Sequence, residues 1–359
     1  MDCYASVETK NKPVQVGFGP TARELLFASL LTLTLCNCGK WNTNNPTVPV
    51  GPTLTVGAVF TLPGEVQAMA ARDSRLFVCI RPPSPDSVTK LFYVVDASDP
   101  MNPQVVGSAL DHGQYGWVYG LALYGSYAYV NTYNEGLTVL DISNPAALRV
   151  LASYDTLAAI PAGIAGCHLY AIGYGLDYLS LSDPIHPRRE GRSNIYNEPR
   201  LVAPWDETRC AVFDRNRHQV LIIDFTSPTA PMTIASSSTT SLYGLTLCAG
   251  SIFGARSSTS PAVLQFTWTG GDSICQQGRA DLPGEGQCLA TLANRIAVGV
   301  GRSYSDQNFF LLSASSPQSP YVVGECELPY DPLLLAADIN KIYAYIGSGY
   351  VYIVEVIEH

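Results

Sequence analysis

LTVLDISNP (137–145) sets the pattern that decides the fold: an apolar, β-branched run, then Asp141, then a short polar stretch closed by Pro145. An apolar run of this length bounded by turn residues reads as a strand entering a tight turn. LFYVVDASDP (91–100), LDYLSLSDP (176–184) and VLIIDFTSP (220–228) have the same form. FFLLSASSP (309–317) repeats it, VLQFTWTGG (263–271) lacks the proline, and YVYIVEV (350–356) ends the series. With Asp96, Asp141, Ser180, Asp224, Thr267, Ser313 and Glu355 taken as equivalent, seven units follow one another about 43 residues apart, the spacing of a four-stranded propeller blade.

Working outward from the repeated run, each unit carries a hairpin ahead of it, such as YGLALYGSYAYVNTY (119–133). The first strand of these hairpins is rich in small residues: Ala68, Ala70, Gly120, Ala122, Gly163, Ala165, Ala290 and Ala336. Innermost blade strands converge on an axis where large side chains would collide, so small residues there are expected. The middle strands are nearly continuous apolar runs, as a sheet covered on both faces requires. Proline pairs follow, Pro100/Pro103, Pro184/Pro187, Pro228/Pro231 and Pro317/Pro320, placed for a tight turn and the start of an edge strand. LTVGAVF (54–60) is a strand with no blade before it, and 332–356 supplies three strands with no fourth. Joining them closes the ring and removes its open edges. The expectation is an all-β, seven-bladed β-propeller of four-stranded antiparallel blades over 53–359, closed by an N-terminal strand pairing with three C-terminal strands.

The V-x-x-V-D-x-S-N/D-P pattern with its Y-A-Y-V hairpin resembles the LVIVD-repeat family of bacterial exported propellers. The resemblance extends over some 300 residues. It is specific in the first two units, fair in the fourth and degenerate elsewhere. It implies a propeller and a cell-envelope location, and it brings no defined activity or catalytic residue with it.

Before the ring, Leu25–Leu35 reads LLFASLLTLTL, eleven uncharged residues preceded by Lys10, Lys12 and Arg23. That is the size of a signal-peptide core and too short to span a bilayer. Residues 1–35 are therefore read as an export signal with a long charged leader, and 36–52 as a polar tether. Cys36 and Cys38 follow the apolar run and are the candidates for lipidation, although Leu35 and Asn37 stand where a small residue usually precedes an acylated cysteine. The expected location is outside the cytoplasm, at a bacterial membrane facing periplasm or exterior, held by a lipid anchor only. Seven further cysteines (79, 167, 210, 248, 275, 288 and 326) are expected mostly as small core residues, with one or two bridges permitted by export.

The chain is 47% hydrophobic and 14% charged, which supplies a core and argues against disorder. Its net charge of −9 excludes a nucleic-acid partner, since a phosphate backbone needs a basic footprint. No hydrolase elbow, H-E-x-x-H, P-loop or C-x-x-C motif is present, and no two of the five histidines stand at ligand spacing. No metal and no cofactor is expected. The recurring Asp96, Asp141 and Asp224 are read as acceptors for turn N–H groups rather than cation ligands, because Ser or Thr replaces them in other units.

Function is expected in the loops that vary between units: 81–90, 111–120, 194–200, 214–219 and 301–308. Asp111, His112, Tyr115, Trp117, Tyr196, Glu198, Arg200, Tyr243, Tyr304, Tyr330 and Asp331 are the candidate binding residues, of types enriched in recognition hot spots. The leading reading is a non-enzymatic scaffold recognising a protein, peptide or glycan. One alternative is a propeller enzyme of lactonase, lyase or quinone-dependent dehydrogenase type, with Asp111, His112, Glu198, Arg200 and Asp331 as acid–base groups. The other is a structural component of a surface assembly.

Overall fold

The computed structural model describes residues 51–84, 89–157, 159–194, 201–256, 260–301, 306–315 and 319–359. Among them the chain forms seven four-stranded antiparallel sheets, six of them meanders in sequence order. Blades 1 to 6 occupy 65–111, 118–154, 160–193, 202–238, 242–281 and 285–326. The seventh is the clasp. Its outer strand is Thr53–Thr61, paired with Tyr350–Ile357, which pairs in turn with Lys341–Gly347 and that with Leu334–Asp338. Leu54 lies opposite Val356 and Phe60 opposite Val351, as the missing-strand count required.

The core is not one core but seven, one in each seam between neighbouring blades. Side chains alternate across a strand, so consecutive residues serve different seams. In Arg75–Arg81, Leu76, Val78 and Ile80 pack against the clasp, while Phe77 and Cys79 pack against blade 2. Ile342, Ala344 and Ile346 likewise face blade 6, and Tyr343 and Tyr345 face blade 1. This two-way burial is why the middle strands read as unbroken apolar runs. Burying each such side chain contributes roughly 1.5–3 kcal/mol. None of the cysteines at 79, 167, 210, 248, 275, 288 and 326 forms a disulfide, so the expected bridge is absent among the described residues. Five of them (79, 210, 248, 288 and 326) are buried as apolar side chains.

The repeated polar residue acts as expected. Asp96 Oδ1 accepts from Ser98 N (2.9 Å), Asp141 Oδ1 from Ser143 N (2.9 Å) and Asp224 Oδ1 from Thr226 N (2.6 Å). In blades 3 and 6 the hydroxyls of Ser180 and Ser313 accept from Ser182 N and Ser315 N, each at 3.4 Å. The following proline takes the second place of a four-residue turn. Asn102 N donates to Asp99 O (3.1 Å), Ala147 N to Asn144 O (2.9 Å), His186 N to Asp183 O (3.1 Å) and Ala230 N to Ser227 O (2.9 Å). Blade 5 replaces the proline with Gly270 and Gly271, both at positive φ.

These turns lock each blade to the one before it. Every outer strand carries one extra residue where it pairs with the third strand; in blade 1 Gly107 lies opposite Val94 and Val105 opposite Val95. The bulge bends the strand and lets the next blade's proline turn approach. A Cβ on Gly107 would stand 1.8 Å from Pro145 O, and one on Gly191 would stand 2.1 Å from Pro228 O. Tyrosines fasten the same seams: Tyr129 Oη donates to Pro184 O (2.7 Å) and Tyr154 Oη to Ile185 O (2.8 Å).

Gly107→Ala is expected to cost ~1–3 kcal/mol in urea unfolding, because backbone must move to admit the methyl. Gly113→Ala, at a position with open surroundings, is expected to stay within about 0.5 kcal/mol. Equal effects at the two sites would show that the turn does not press on the bulge. The turn carboxylates predict an acid limit. Hydrogen bonds from Ser98 and Ser143 hold Asp96 and Asp141 below the ordinary aspartate value of 3.8. A depressed native pKa gives stability that is present above the unfolded value and is lost as pH falls through the native one. Stability should therefore fall below about pH 4. An Asp96→Asn/Asp141→Asn variant, still able to accept the N–H bonds, should show a shallower acid slope with neutral stability changed by only about 1 kcal/mol.

Candidate functional site

Connectivity sorts the links between strands onto two ends of the ring. In an antiparallel meander, links from first to second strand and from third to fourth share one end. Links from second to third strand and from blade to blade share the other. The described residues of the variable loops, 81–84, 89–90, 111–120, 194, 214–219, 301 and 306–308, belong to the second end, the loop face, whereas the Asp–Pro turns lie at the first.

Asp111 ends the outer strand of blade 1, and Lys90 Nζ on the adjacent strand donates to its Oδ1 at 2.6 Å. A single helical turn, His112–Tyr115, leads from there toward blade 2. His112 is half-buried. Tyr115 departs from expectation: it is only 7% exposed and belongs to the core between blades 1 and 2. A large ring at a blade seam lowers the free energy by burial, so Tyr115 anchors the connector instead of presenting itself to a partner. Trp117, by contrast, is 44% exposed, with the exposed Tyr133 ring 6.0 Å away. Its backbone is held by Tyr133 N donating to Trp117 O (2.7 Å), and Asn134 Nδ2 donates to Gln114 O (2.9 Å).

Trp117 lines a cleft of about 750 Å³ with Pro63, Glu65, Arg81, Pro82 and Ser348. These residues come from the clasp-to-blade-1 connection, the second-to-third-strand loop of blade 1 and the corresponding turn of the clasp. Glu65 and Arg81 form an ion pair in its wall.

Tyr330 and Asp331 lie on the connection from blade 6 to the clasp, Tyr330 being 69% exposed. The buried amide of Asn308 shapes this connection. Its Nδ2 donates to Leu328 O (2.9 Å) and Tyr330 O (3.0 Å), and its Oδ1 accepts from Leu328 N (2.8 Å). Tyr196, Glu198, Arg200, Tyr304, Cys36 and Cys38 lie outside the described residues.

The seven inner strands surround an axial channel of about 250 Å³, with Gln67, Tyr119, Ala162 and Tyr243 in its wall. Each of these four is the extra residue of a bulge between first and second strands. Such a bulge re-aims one side chain, and here those side chains line the bore. The Arg215 guanidinium stands 5.6 Å from the Tyr243 ring. Tyr243 is among the residues expected from the sequence, whereas Gln67 and Tyr119 are not. The available signal was position: each directly precedes the first small residue of an inner strand.

At the opposite end, blades 3 and 4 bring together donors that sequence reasoning did not connect. The thiol of Cys167 donates to Glu207 Oε1 (2.9 Å), and His168 Nδ1 lies 3.7 Å from the sulfur and 3.4 Å from the same carboxylate oxygen. The Glu207 bond holds the thiol above its usual pKa, and the same bond holds Glu207 below the usual carboxylate range. A thiol kept protonated is a weak nucleophile.

Residues 116–156, blade 2 with the connector before it, match the LVIVD repeat. No curated protein matches the chain in sequence. Among solved structures, a chain from the crystal structure of a mitotic checkpoint complex is 12% identical, with 89% of this chain and 100% of that chain covered and a TM-score of 0.62. Hydrazine synthase from Kuenenia stuttgartiensis is 15% identical, covering 82% and 96%, at a TM-score of 0.58. BamB from Moraxella catarrhalis is 16% identical, covering 85% and 98%, at a TM-score of 0.52. At such identities the likeness is one of fold.

Proposed function

We propose that this propeller is a non-enzymatic recognition scaffold at a bacterial cell envelope, gripping a partner protein through an extended peptide segment laid beside Trp117. The observation that carries this reading is the loop-face cleft. At about 750 Å³ it lies within the usual range for a binding site. Its wall combines a half-exposed indole, proline faces and a charged pair, which suits a peptide with both apolar and polar side chains. The axial channel is narrower than such sites, so a partner is met at the loop face and not swallowed by the bore. Propellers of like fold serve inside assemblies, the mitotic checkpoint complex being one by its own description.

The envelope location rests on the uncharged run Leu25–Leu35 with Cys36 and Cys38 after it, and on the LVIVD unit at 116–156. In this reading residues 1–35 direct export, a lipid on Cys36 or Cys38 holds the chain at the membrane, and 36–52 let the ring reach its partner.

Crosslinking on intact cells tests the site. Full-length protein should yield a discrete crosslinked partner, and Trp117→Ala should reduce that product at least tenfold, about 1.4 kcal/mol. Ile339→Ala, exposed on the first-to-second-strand turn of the clasp at the opposite end, should leave it intact. An unchanged yield with Trp117→Ala rejects the cleft as the contact. For the anchor, metabolic labelling with a palmitate analogue should mark the wild-type chain and fail on a Cys36→Ala/Cys38→Ala variant. Label persisting in that variant rejects both cysteines as acceptors.

A further inference from the structure

We propose that Cys167, His168 and Glu207 form a binding site for a zinc-class divalent cation across the seam between blades 3 and 4, on the end of the ring opposite the loop face. The three donors come from two turns, 165–168 in blade 3 and 204–209 in blade 4, and their ligand atoms all lie within 4.8 Å of one another. With zinc–sulfur and zinc–nitrogen or –oxygen bonds of about 2.3 and 2.0–2.1 Å, the edges of a tetrahedral site are roughly 3.4–3.6 Å. The observed edges are 3.7 Å from sulfur to Nδ1 and 3.4 Å from Nδ1 to Oε1. The third edge, 2.9 Å from sulfur to Oε1, is a thiol hydrogen bond. It opens when the proton leaves and a cation takes its place.

The surroundings hold these donors in position. Gly166 sits at φ +54°, where glycine is favoured, and a Cβ on it would stand 2.9 Å from Glu207 Cδ, so a larger residue there would push that carboxylate aside. The His168 ring stacks on Tyr178 at 4.3 Å and 9°, which fixes its plane. The hydroxyls of Tyr170 and Tyr178 donate to Glu207 O at 3.2 and 2.9 Å, clamping the turn that carries the third donor. Glu190, the extra residue of the outer-strand bulge in blade 3, places Oε2 3.4 Å from His168 Nε2. Once Glu207 ligates the cation, Glu190 is the carboxylate left to accept the ring proton at Nε2, which leaves Nδ1 to ligate, the arrangement that metal-bound histidines use.

The donor set selects the ion. A thiolate disfavours magnesium and calcium, whereas sulfur, imidazole and carboxylate together suit zinc. Binding exchanges the thiol proton for the metal: the S–H bond breaks, a sulfur–zinc bond forms and the proton passes to water. Three protein ligands leave the fourth position of the tetrahedron to solvent, on the side where Glu207 is exposed.

The test uses full-length protein with zinc alone, competed against a chromogenic chelator, and with cobalt(II) as a spectroscopic probe. The wild type should hold a zinc equivalent that Cys167→Ser loses, with affinity down at least 100-fold, and its cobalt form should show a thiolate charge-transfer band absent from that variant. Glu190→Gln should keep the band but weaken zinc 10–100-fold, as removal of a supporting carboxylate does. That second variant leaves all three ligands in place, so it reads the site even where Cys167→Ser disturbs the turn. Cys275→Ser, at an exposed cysteine elsewhere, should change neither measurement. A cobalt spectrum without the band, or zinc affinity equal in wild type and both site variants, overturns the proposal.

Discussion

Everything in this ring depends on each sheet burying both faces against its neighbours. No blade has a core of its own: Val220 and Ile222 pack toward blade 5, while Leu221 and Ile223 from the same strand pack toward blade 3. A lone four-stranded sheet would expose two apolar faces and could not offset the entropy of ordering its chain. Adding blades in a line still leaves two uncovered faces, and only closure removes them. The pairing of Thr53–Thr61 with Tyr350–Ile357 is therefore the contact through which all seven seams become stable at once.

The same constraint divides the labour between the two ends of the ring. At the Asp–Pro end each turn presses on the preceding blade, to the point where Gly107 and Gly191 have no room for a methyl. Such a surface cannot vary freely, because a change in one unit strains its neighbour. At the loop end the links differ in length and sequence, as 81–90 and 111–120 do. Trp117 thus stands half-exposed on a connector pinned at both ends, by Tyr115 in the core before it and by the Tyr133 amide behind it. A rigid platform of this kind presents an aromatic side chain at low entropic cost to a partner.

What was legible in the sequence was local or periodic. Asp96, Asp141 and Asp224 could be read because the N–H groups they accept lie two residues away. The clasp could be read because a missing strand at one end matched a surplus strand at the other. Tyr115 could not be told from Trp117, since large aromatics are enriched both at recognition surfaces and in seams, and the helical turn that buries one of them leaves no periodic mark. The grouping of Cys167 and His168 with Glu207 was invisible for a different reason. Its members stand 40 positions apart on adjacent blades and are of three residue types, so neither spacing nor repetition of one type reveals them. The outer-strand bulge was equally hidden, although it recurs in every blade. One inserted residue shifts a register without changing composition, and its glycine reads as an ordinary small residue until the neighbouring carbonyl is seen.

The clasp also shows how a repeat adapts where its rule no longer applies. In blade 7 the position of the turn aspartate is held by Glu355. Its cross-strand partner is Lys341. That side chain is buried, and its ammonium donates to Ala97 O (2.6 Å) and Ser98 O (3.2 Å), carbonyls in the turn of blade 1. Asp338, one turn away, accepts from Ser74 N at 2.6 Å. An ammonium directed at two carbonyls makes charge-assisted bonds, worth more than neutral ones where water is excluded. A seam joining the first blade to the last gains nothing from chain connectivity beyond the short Leu62–Gly64 link, so side chains must specify it. Lys341 and Asp338 make that junction polar and directional, fixing the register in which the ring closes, where apolar contacts alone would accept a slip.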